Sequence, residues 1–345
     1  LKCFEQMKGE GLSPDVVTFT CILSACAAVK DIERGKEIHE EVANRCLLGK
    51  DLVLGVTLVD MYAKCGFLAK AQKVHDELCT RNLVSWSVLI AGYAQHGQGH
   101  EALNCLEQME ADGISPNIII FTCILKSCGS AGALDKGKQI HDEILNKGWL
   151  EKDLVLGNAL VDMYAKCGAL SKAQQLLDEL HVRDAVSWNA VIGGHAERGY
   201  GREALNCFEH MESEGVTPDG ITFLCLLNAC SHSGLLDEAR MIYVNMSSVH
   251  GITPNLEHHT AMVVVFGYAG HFDEAISVIK VMPACDHVEV WLALMAACKK
   301  WRNVKLGRLA FDQVIRLDDR VAASYTLMAD IYGDAGLLED AQKVE

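Results

Sequence analysis

The amino-acid sequence predicts an all-α chain, an array of stacked helix-turn-helix units with no sheet. Three observations carry this. The chain repeats itself: related segments end at Asp15, Asn117 and Asp219, each 102 residues apart, and a long fixed period marks a stacked architecture. Within a repeat, apolar residues recur three and four positions apart, the spacing of one helix face. Five prolines against 29 glycines in 345 residues fit long helices joined by glycine turns. Length alone suggests about two ordinary domains. A single hairpin cannot bury its apolar face, however, and stacked neighbours bury it instead, which points to one continuous array.

The units follow in order. LKCFEQMKGEGLSPD matches the later NCLEQMEADGISPN and NCFEHMESEGVTPD, so 1–15 reads as the end of a partial unit. Val16–Asn117 and Ile118–Asp219 are identical at roughly half their positions, and each divides into units of 36, 31 and 35 residues. The expected units are 16–51, 52–82, 83–117, 118–153, 154–184 and 185–219, followed by 220–255 and 256–286. In 83–117, Trp86, Leu89, Ile90 and Tyr93 form one stripe, with Gly97 and Gly99 expected to stop that helix. Leu103, Leu106 and Met109 form the second stripe, closed by Gly113 and Pro116. Each unit is thus a hairpin of two helices of about 12 residues, about 18 Å each. After 286 the pattern changes but remains helical.

Composition narrows the function classes. At 50% hydrophobic residues the chain is too apolar to be disordered. The formal charge of −15 argues against indiscriminate binding to nucleic acid or anionic membrane, while leaving room for a groove of different local charge. The longest apolar runs, such as Ala261 to Tyr268, fall far short of a membrane span. Leu1 in place of Met, and a helical pattern still running at Glu345, make the sequence read as a fragment, with any targeting peptide upstream.

Eleven of the fifteen cysteines follow the repeat: Cys21, Cys123 and Cys225 are equivalent, as are Cys26, Cys128 and Cys230, Cys65 and Cys167, and Cys3, Cys105 and Cys207. This register reads as reduced thiols buried at helix contacts. Paired Cys-x2-Cys or Cys/His ligand spacing does not occur, so no metal site is expected. No P-loop and no nucleophile elbow is present, so no cofactor is expected. His39 and His141, the adjacent His258 and His259, and the aromatics Tyr62, Tyr164, Trp86 and Trp188 read as packing between units.

The residues resemble the pentatricopeptide repeat proteins of plants. The ending Met-x3-Gly-x2-Pro-Asp/Asn stands at Met109–Asn117 and Met211–Asp219. Leu-Val-Asp-Met-Tyr-Ala-Lys-Cys-Gly stands at Leu58–Gly66 and Leu160–Gly168, and Val-Ser-Trp-Asn or Val-Ser-Trp-Ser at Val186–Asn189 and Val84–Ser87. Alternating long, short and standard units resemble the subgroup built from such triplets. Trp291–Cys298, Asn303–Gly307 and Tyr325–Tyr332 look like its E-type extension, here 287–345 and truncated. The resemblance implies a right-handed α-solenoid superhelix that binds single-stranded organellar RNA rather than DNA, in mitochondrion or chloroplast. The implied role is specificity factor in RNA processing, above all C-to-U RNA editing, with a deaminase-bearing factor as partner through the extension. A zinc deaminase needs His-x-Glu together with Pro-Cys-x-x-Cys; that combination is absent, so the chain itself is not expected to be the enzyme.

Such arrays read one base per repeat with two or three side chains. In the family the fifth and last residues of each repeat do this. Carried over, the standard repeats give Ser87 with Asn117 and Asn189 with Asp219. The short repeats give Val56 with Asn82, Asn158 with Asp184 and Thr260 with Asp286. The long repeats give Thr20 with Asp51, Thr122 with Asp153 and Leu224 with Asn255. Asn with Asp implies uridine, Ser or Thr with Asn adenine, and Thr with Asp guanine, with N-terminal repeats toward the RNA 5′ end. The same residues are also good helix caps; their repetition at two fixed positions favours recognition in the standard and short repeats, while the long repeats are expected to read poorly and their bases are left open. Val56 and Leu224 depart from the pattern, since neither can hydrogen-bond a base. Lys64 and Lys166 are candidates for phosphate contact, or for solvated helix-end lysines. The competing function class is a helical scaffold for protein partners, which has no need of Asn/Asp pairs in a two-site register.

Overall fold

The structure, a computed structural model, describes residues 2–48, 51–150, 153–282 and 287–344. Among these residues every regular element is a helix and there is no strand. Two compact units emerge, Leu1–His181 and Val182–Glu345, each described by itself. The first holds α1 (Lys2–Gly9), α2 (Val16–Val29), α3 (Ile32–Asn44), α4 (Leu52–Lys64), α5 (Leu68–Asp76), α6 (Leu83–Gln95), α7 (Gly99–Ala111), α8 (Ile118–Ala131), α9 (Leu134–Asn146), α10 (Leu154–Lys166) and α11 (Leu170–Glu179). The second holds α12 (Ala185–Glu197), α13 (Gly201–Ser213), α14 (Gly220–Ser233), α15 (Leu236–Ser248), α16 (Leu256–Ala269), α17 (Phe272–Val281), α18 (Val288–Trp301), α19 (Val304–Leu317), α20 (Ala322–Asp334) and α21 (Leu338–Val344).

Even-numbered helices open the hairpins and odd-numbered helices close them. In the first unit α2, α4, α6, α8 and α10 pack one on the next, and α3, α5, α7 and α9 each return onto both flanking opening helices. In the second unit α12, α14, α16, α18 and α20 form the same succession. The stripes read from sequence supply the core: Leu54, Leu58 and Tyr62 of α4, and their equivalents Leu156, Leu160 and Tyr164 of α10, are buried. Trp86 and Trp188 are buried as well. His39 Nδ1 pairs with the Tyr62 hydroxyl at 2.8 Å and His141 Nδ1 with that of Tyr164 at 2.9 Å. The repeated histidines and tyrosines therefore lock closing helices to opening helices. Gly66 and Gly168 end α4 and α10 at φ +82° and +83°, a left-handed turn that favours glycine.

Three expectations need correction. Gly97 does end α6, at φ +70°, but Gly99 opens α7 instead of stopping a helix. A Cβ there would lie 2.6 Å from the Ser127 carbonyl oxygen of α8, so Gly99 serves close approach of two backbones. The closing helices are not uniformly about 12 residues: α5 has 9 and α11 and α17 have 10, against 13 for α7 and α13. The short units lose their residues from the returning run. The third correction concerns the thiols. Cys26, Cys105, Cys128, Cys207 and Cys230 are buried, but Cys3 and Cys21 are exposed, and Cys65, Cys123, Cys167 and Cys225 are partly so. Cys225 faces the preceding opening helix, its Sγ 3.5 Å from where a Gly193 Cβ would stand.

Candidate nucleic-acid interface

The opening helices share one start. Asp15, Asp51, Asn82, Asn117, Asp153, Asp184, Asp219 and Asn255 are the N-caps of α2, α4, α6, α8, α10, α12, α14 and α16. Each accepts the backbone N–H three residues on through Oδ1, at 2.8–3.1 Å. An orphan helix donor is thereby satisfied, a contribution of about 1 kcal/mol per helix. The closing helices α5, α7, α9, α11, α13, α15 and α17 have no side-chain cap bond. The series stops where the sequence pattern changes: neither α18 nor α20 has a side-chain cap bond.

One turn into the opening helices stand the other candidates. Thr20, Ser87, Thr122 and Thr260 each donate the hydroxyl proton to the carbonyl four residues back, at 2.9, 2.6, 2.9 and 2.8 Å. With the proton committed, the oxygen keeps lone pairs to accept with. Asn158 and Asn189 are buried, each 8% exposed. Val56 and Leu224 are partly buried and apolar.

One candidate pair is bonded directly: Asn189 Nδ2 donates to Asp219 Oδ1 at 3.0 Å. Asn189 Oδ1 is buried without a hydrogen-bond partner, an acceptor left open. Ser87 with Asn117, Thr20 with Asp51 and Thr122 with Asp153 are not bonded to each other; each side chain is engaged within its own helix start. Asn158 and Asp184 lie one in each unit. Asp286, the partner assigned to Thr260, lies outside the described residues. Lys64 and Lys166 occupy the last turns of α4 and α10 and pair with Asp60 at 2.8 Å and Asp162 at 2.9 Å. Surface pairs at this spacing contribute only about 0.3–0.5 kcal/mol.

A further row went unnoticed in the sequence. The second residue of seven opening helices is a solvent-facing β-branched aliphatic: Val17, Val53, Val84, Ile119, Val155, Val186 and Ile221, from 57% exposed at Val84 to 68% at Val17. Glu257 takes the place in α16. Its signal was an apolar residue just after each helix-opening residue, out of phase with the buried stripe.

Burial governs the titration of the core thiols. Desolvation pushes the Cys26 and Cys128 thiols up to about 11, and those of Cys105, Cys230 and Cys298 up to about 12, so these are inert packing groups rather than nucleophiles. Among the described residues no three His, Cys, Asp or Glu side chains are grouped to hold a metal, and no helix is long and apolar enough to cross a membrane.

Known proteins share this arrangement. The family models described as PPR repeat family, Pentatricopeptide repeat domain and PPR repeat match residues 81–130 and 183–232, residues 2–46, and residues 56–83, 119–149, 158–184, 221–249 and 257–287 respectively. Pentatricopeptide repeat-containing protein CRR2, chloroplastic, of Arabidopsis thaliana is 37% identical over all of this chain and 53% of its own length. A mitochondrial pentatricopeptide repeat-containing protein of the same plant is 34% identical over 98% of this chain and 60% of its own. Another Arabidopsis thaliana relative is 35% identical over 97% of this chain and 68% of its own. The chain thus spans about half the length of the first curated relatives it matches. Among solved structures, the pentatricopeptide repeat protein PPR10 in complex with an 18-nucleotide psaJ RNA element aligns with TM-score 0.65 at 18% identity, over 99% of this chain and 56% of that one. Helical hairpins in series, Asp/Asn caps on the opening helices and these relatives agree: the chain belongs to the pentatricopeptide repeat family.

Proposed function

We propose that the chain binds single-stranded RNA in a sequence-specific manner, one base per repeat, as the specificity factor of organellar RNA processing and above all of C-to-U editing. The observation that carries this is the register on the eight capped opening helices: an Asp or Asn cap on each, a polar side chain one turn on in all but two, and an exposed Val or Ile at the second helical residue in all but one. Capping alone does not explain it, because Asp and Asn cap about equally well and the choice between them is free to serve another purpose. An exposed aliphatic row lowers solubility unless it has a partner, and the flat faces of successive bases offer one at the same one-per-repeat spacing. PPR10, the structural neighbour above, was solved with bound RNA, and relatives in both chloroplast and mitochondrion are consistent with an organellar setting. The repeat bounds given above are proposed as the reading frame, and the region after 286 as the docking point for a deaminase-bearing factor.

The test is Asn189→Ser combined with Asp219→Asn. Asn at 219 keeps the cap, so helix α14 stays formed. Preference at that position should move from uridine toward adenine, because a wrong base leaves a polar group unpaired in a desolvated groove, at about 1 kcal/mol or more. An equal fall in binding to every sequence would make these residues caps and nothing more.

A further inference from the structure

The ends of α16 and α18 differ from the corresponding ends in the first unit. From Val290 to Phe311 the chain carries Lys299, Lys300, Arg302, Lys305 and Arg308 and no Asp or Glu, although its total charge is −15. Asp330 takes Lys299 at 2.6 Å and Asp312 takes Arg308 at 3.0 Å. Lys300 and Arg302 are exposed and have no carboxylate partner among the described residues. Arg302 stands at φ +52°, as Lys30 does at +56° at the end of α2, at the turn where α8, α14 and α16 end on Gly132, Gly234 and Gly270. A cation has been kept where the backbone favours glycine.

Tyr268 holds the place of Lys64 and Lys166, and Val264 that of Asp60 and Asp162, so the neutralised ion pair of the earlier units is gone. Lys300 Nζ donates to the Tyr268 carbonyl at 3.0 Å and lies 5.2 Å from the Tyr268 ring and 5.9 Å from that of Trp301. Trp301 Nε1 donates to the same carbonyl at 3.3 Å, which holds an indole that is 50% exposed. Gly270 makes room for it, since a Cβ there would meet the ring at 3.2 Å. Beside these groups opens a cavity of about 570 Å³ lined by Ser231, His232, Tyr268 and Lys300. The Ser231 hydroxyl is buried there without a hydrogen-bond partner. Two aromatic rings, two cations without a carboxylate partner among the described residues and a cavity holding an unpartnered hydroxyl suit a base with its phosphate. An acidic protein segment would use the cations and leave both ring faces idle.

We infer that Tyr268, Lys300, Trp301 and Arg302 form a stacking and phosphate site for a nucleotide of single-stranded RNA lying 3′ of the bases read by the repeats. This inference rests on the RNA reading above. Two RNAs test it: one selected on the protein and ending at the base under 256–286, the other the same RNA with a short oligoadenosine 3′ tail. The tail should tighten binding by about tenfold, the effect of one stacked base. Trp301→Ala should abolish that gain and Trp301→Phe keep most of it. Lys300→Gln with Arg302→Gln should lower the gain and reduce the salt slope for the tailed RNA by about 1.4, the value for two phosphate contacts on a single strand. All variants should bind the untailed RNA as the parent does. Equal binding of tailed and untailed RNA by the parent protein would overturn the site while leaving the repeat reading intact. Binding of neither RNA would overturn both.

Discussion

His75→Leu should stabilise the protein, and more so in acid. His75 is fully buried in α5 with both ring nitrogens lacking hydrogen-bond partners, its ring centroid 4.3 Å from that of Trp86. The equivalent positions 102 residues apart hold Leu177 and Ile279, both buried, so the site is built for an aliphatic side chain. Removing unsatisfied buried nitrogens is worth about 1–3 kcal/mol at neutral pH. Burial pushes the His75 pKa down from 6.5 to about 4; Arg81 adds to the fall, while Asp76 and Asp112 oppose it and do not win. The folded state therefore binds fewer protons than the unfolded state between those values, and stability is lost as pH falls from about 6.5 toward 4. At pH 5 the loss from this group is about 2 kcal/mol, approaching about 3 below pH 4. His39, His141, His195 and His259 are lowered by burial too, so both proteins weaken in acid and the difference between them is the readout. Urea unfolding followed by circular dichroism at pH 7.5 and pH 5 should show the gap widening by about 2 kcal/mol. A gap that stays constant would mean that His75 charges freely in the folded state and is not sealed in the core.

Other consequences are open to test. Gly201→Ala should destabilise the second unit by about 1–3 kcal/mol, the range for overpacking, because the new methyl would meet the Ser233 side chain and the Ala229 carbonyl oxygen at 3.0 Å; an unchanged melting curve would show that α13 and α14 are not in close backbone contact. Asn82→Ala should cost about 1 kcal/mol of stability by removing the Oδ1 that accepts the Ser85 backbone N–H in the capping box, whereas Asn82→Asp should leave thermal unfolding nearly unchanged; equal losses would deny the cap. RNA affinity should fall linearly with the logarithm of salt concentration, and a flat response would favour a scaffold that binds partners through apolar helix faces.

The hairpins were legible because their signals are local and repeated. A stripe such as Trp86, Leu89, Ile90 and Tyr93 needs only helix geometry, and Asp or Asn ahead of it needs only an orphan N–H to satisfy. What was hidden depends on neighbours. Val84 is apolar and lies outside the Trp86 stripe, and only the packed helices show that it is 57% exposed. Gly99 reads as a helix stop until the Ser127 carbonyl is placed beside it. Cys21 and Cys225 are equivalent in register and differ in burial, a difference that register alone does not reveal. Lys64 and Lys166 read as free cations until Asp60 and Asp162, one turn back, are seen to bind them. The bond from Asn189 to Asp219 spans 30 residues, and only stacking brings its ends together.

The central claim is that paired side chains on successive opening helices read successive bases, and selection of bound sequences from a random single-stranded RNA pool measures it most directly. The account predicts enrichment, from 5′ to 3′ and from the repeat at 83–117 to that at 256–286, of adenine, any base, uridine, uridine, any base and guanine. Recovery of tight binders with no preference at the positions assigned to Ser87 with Asn117 and Asn189 with Asp219, or no enrichment at all, would contradict it.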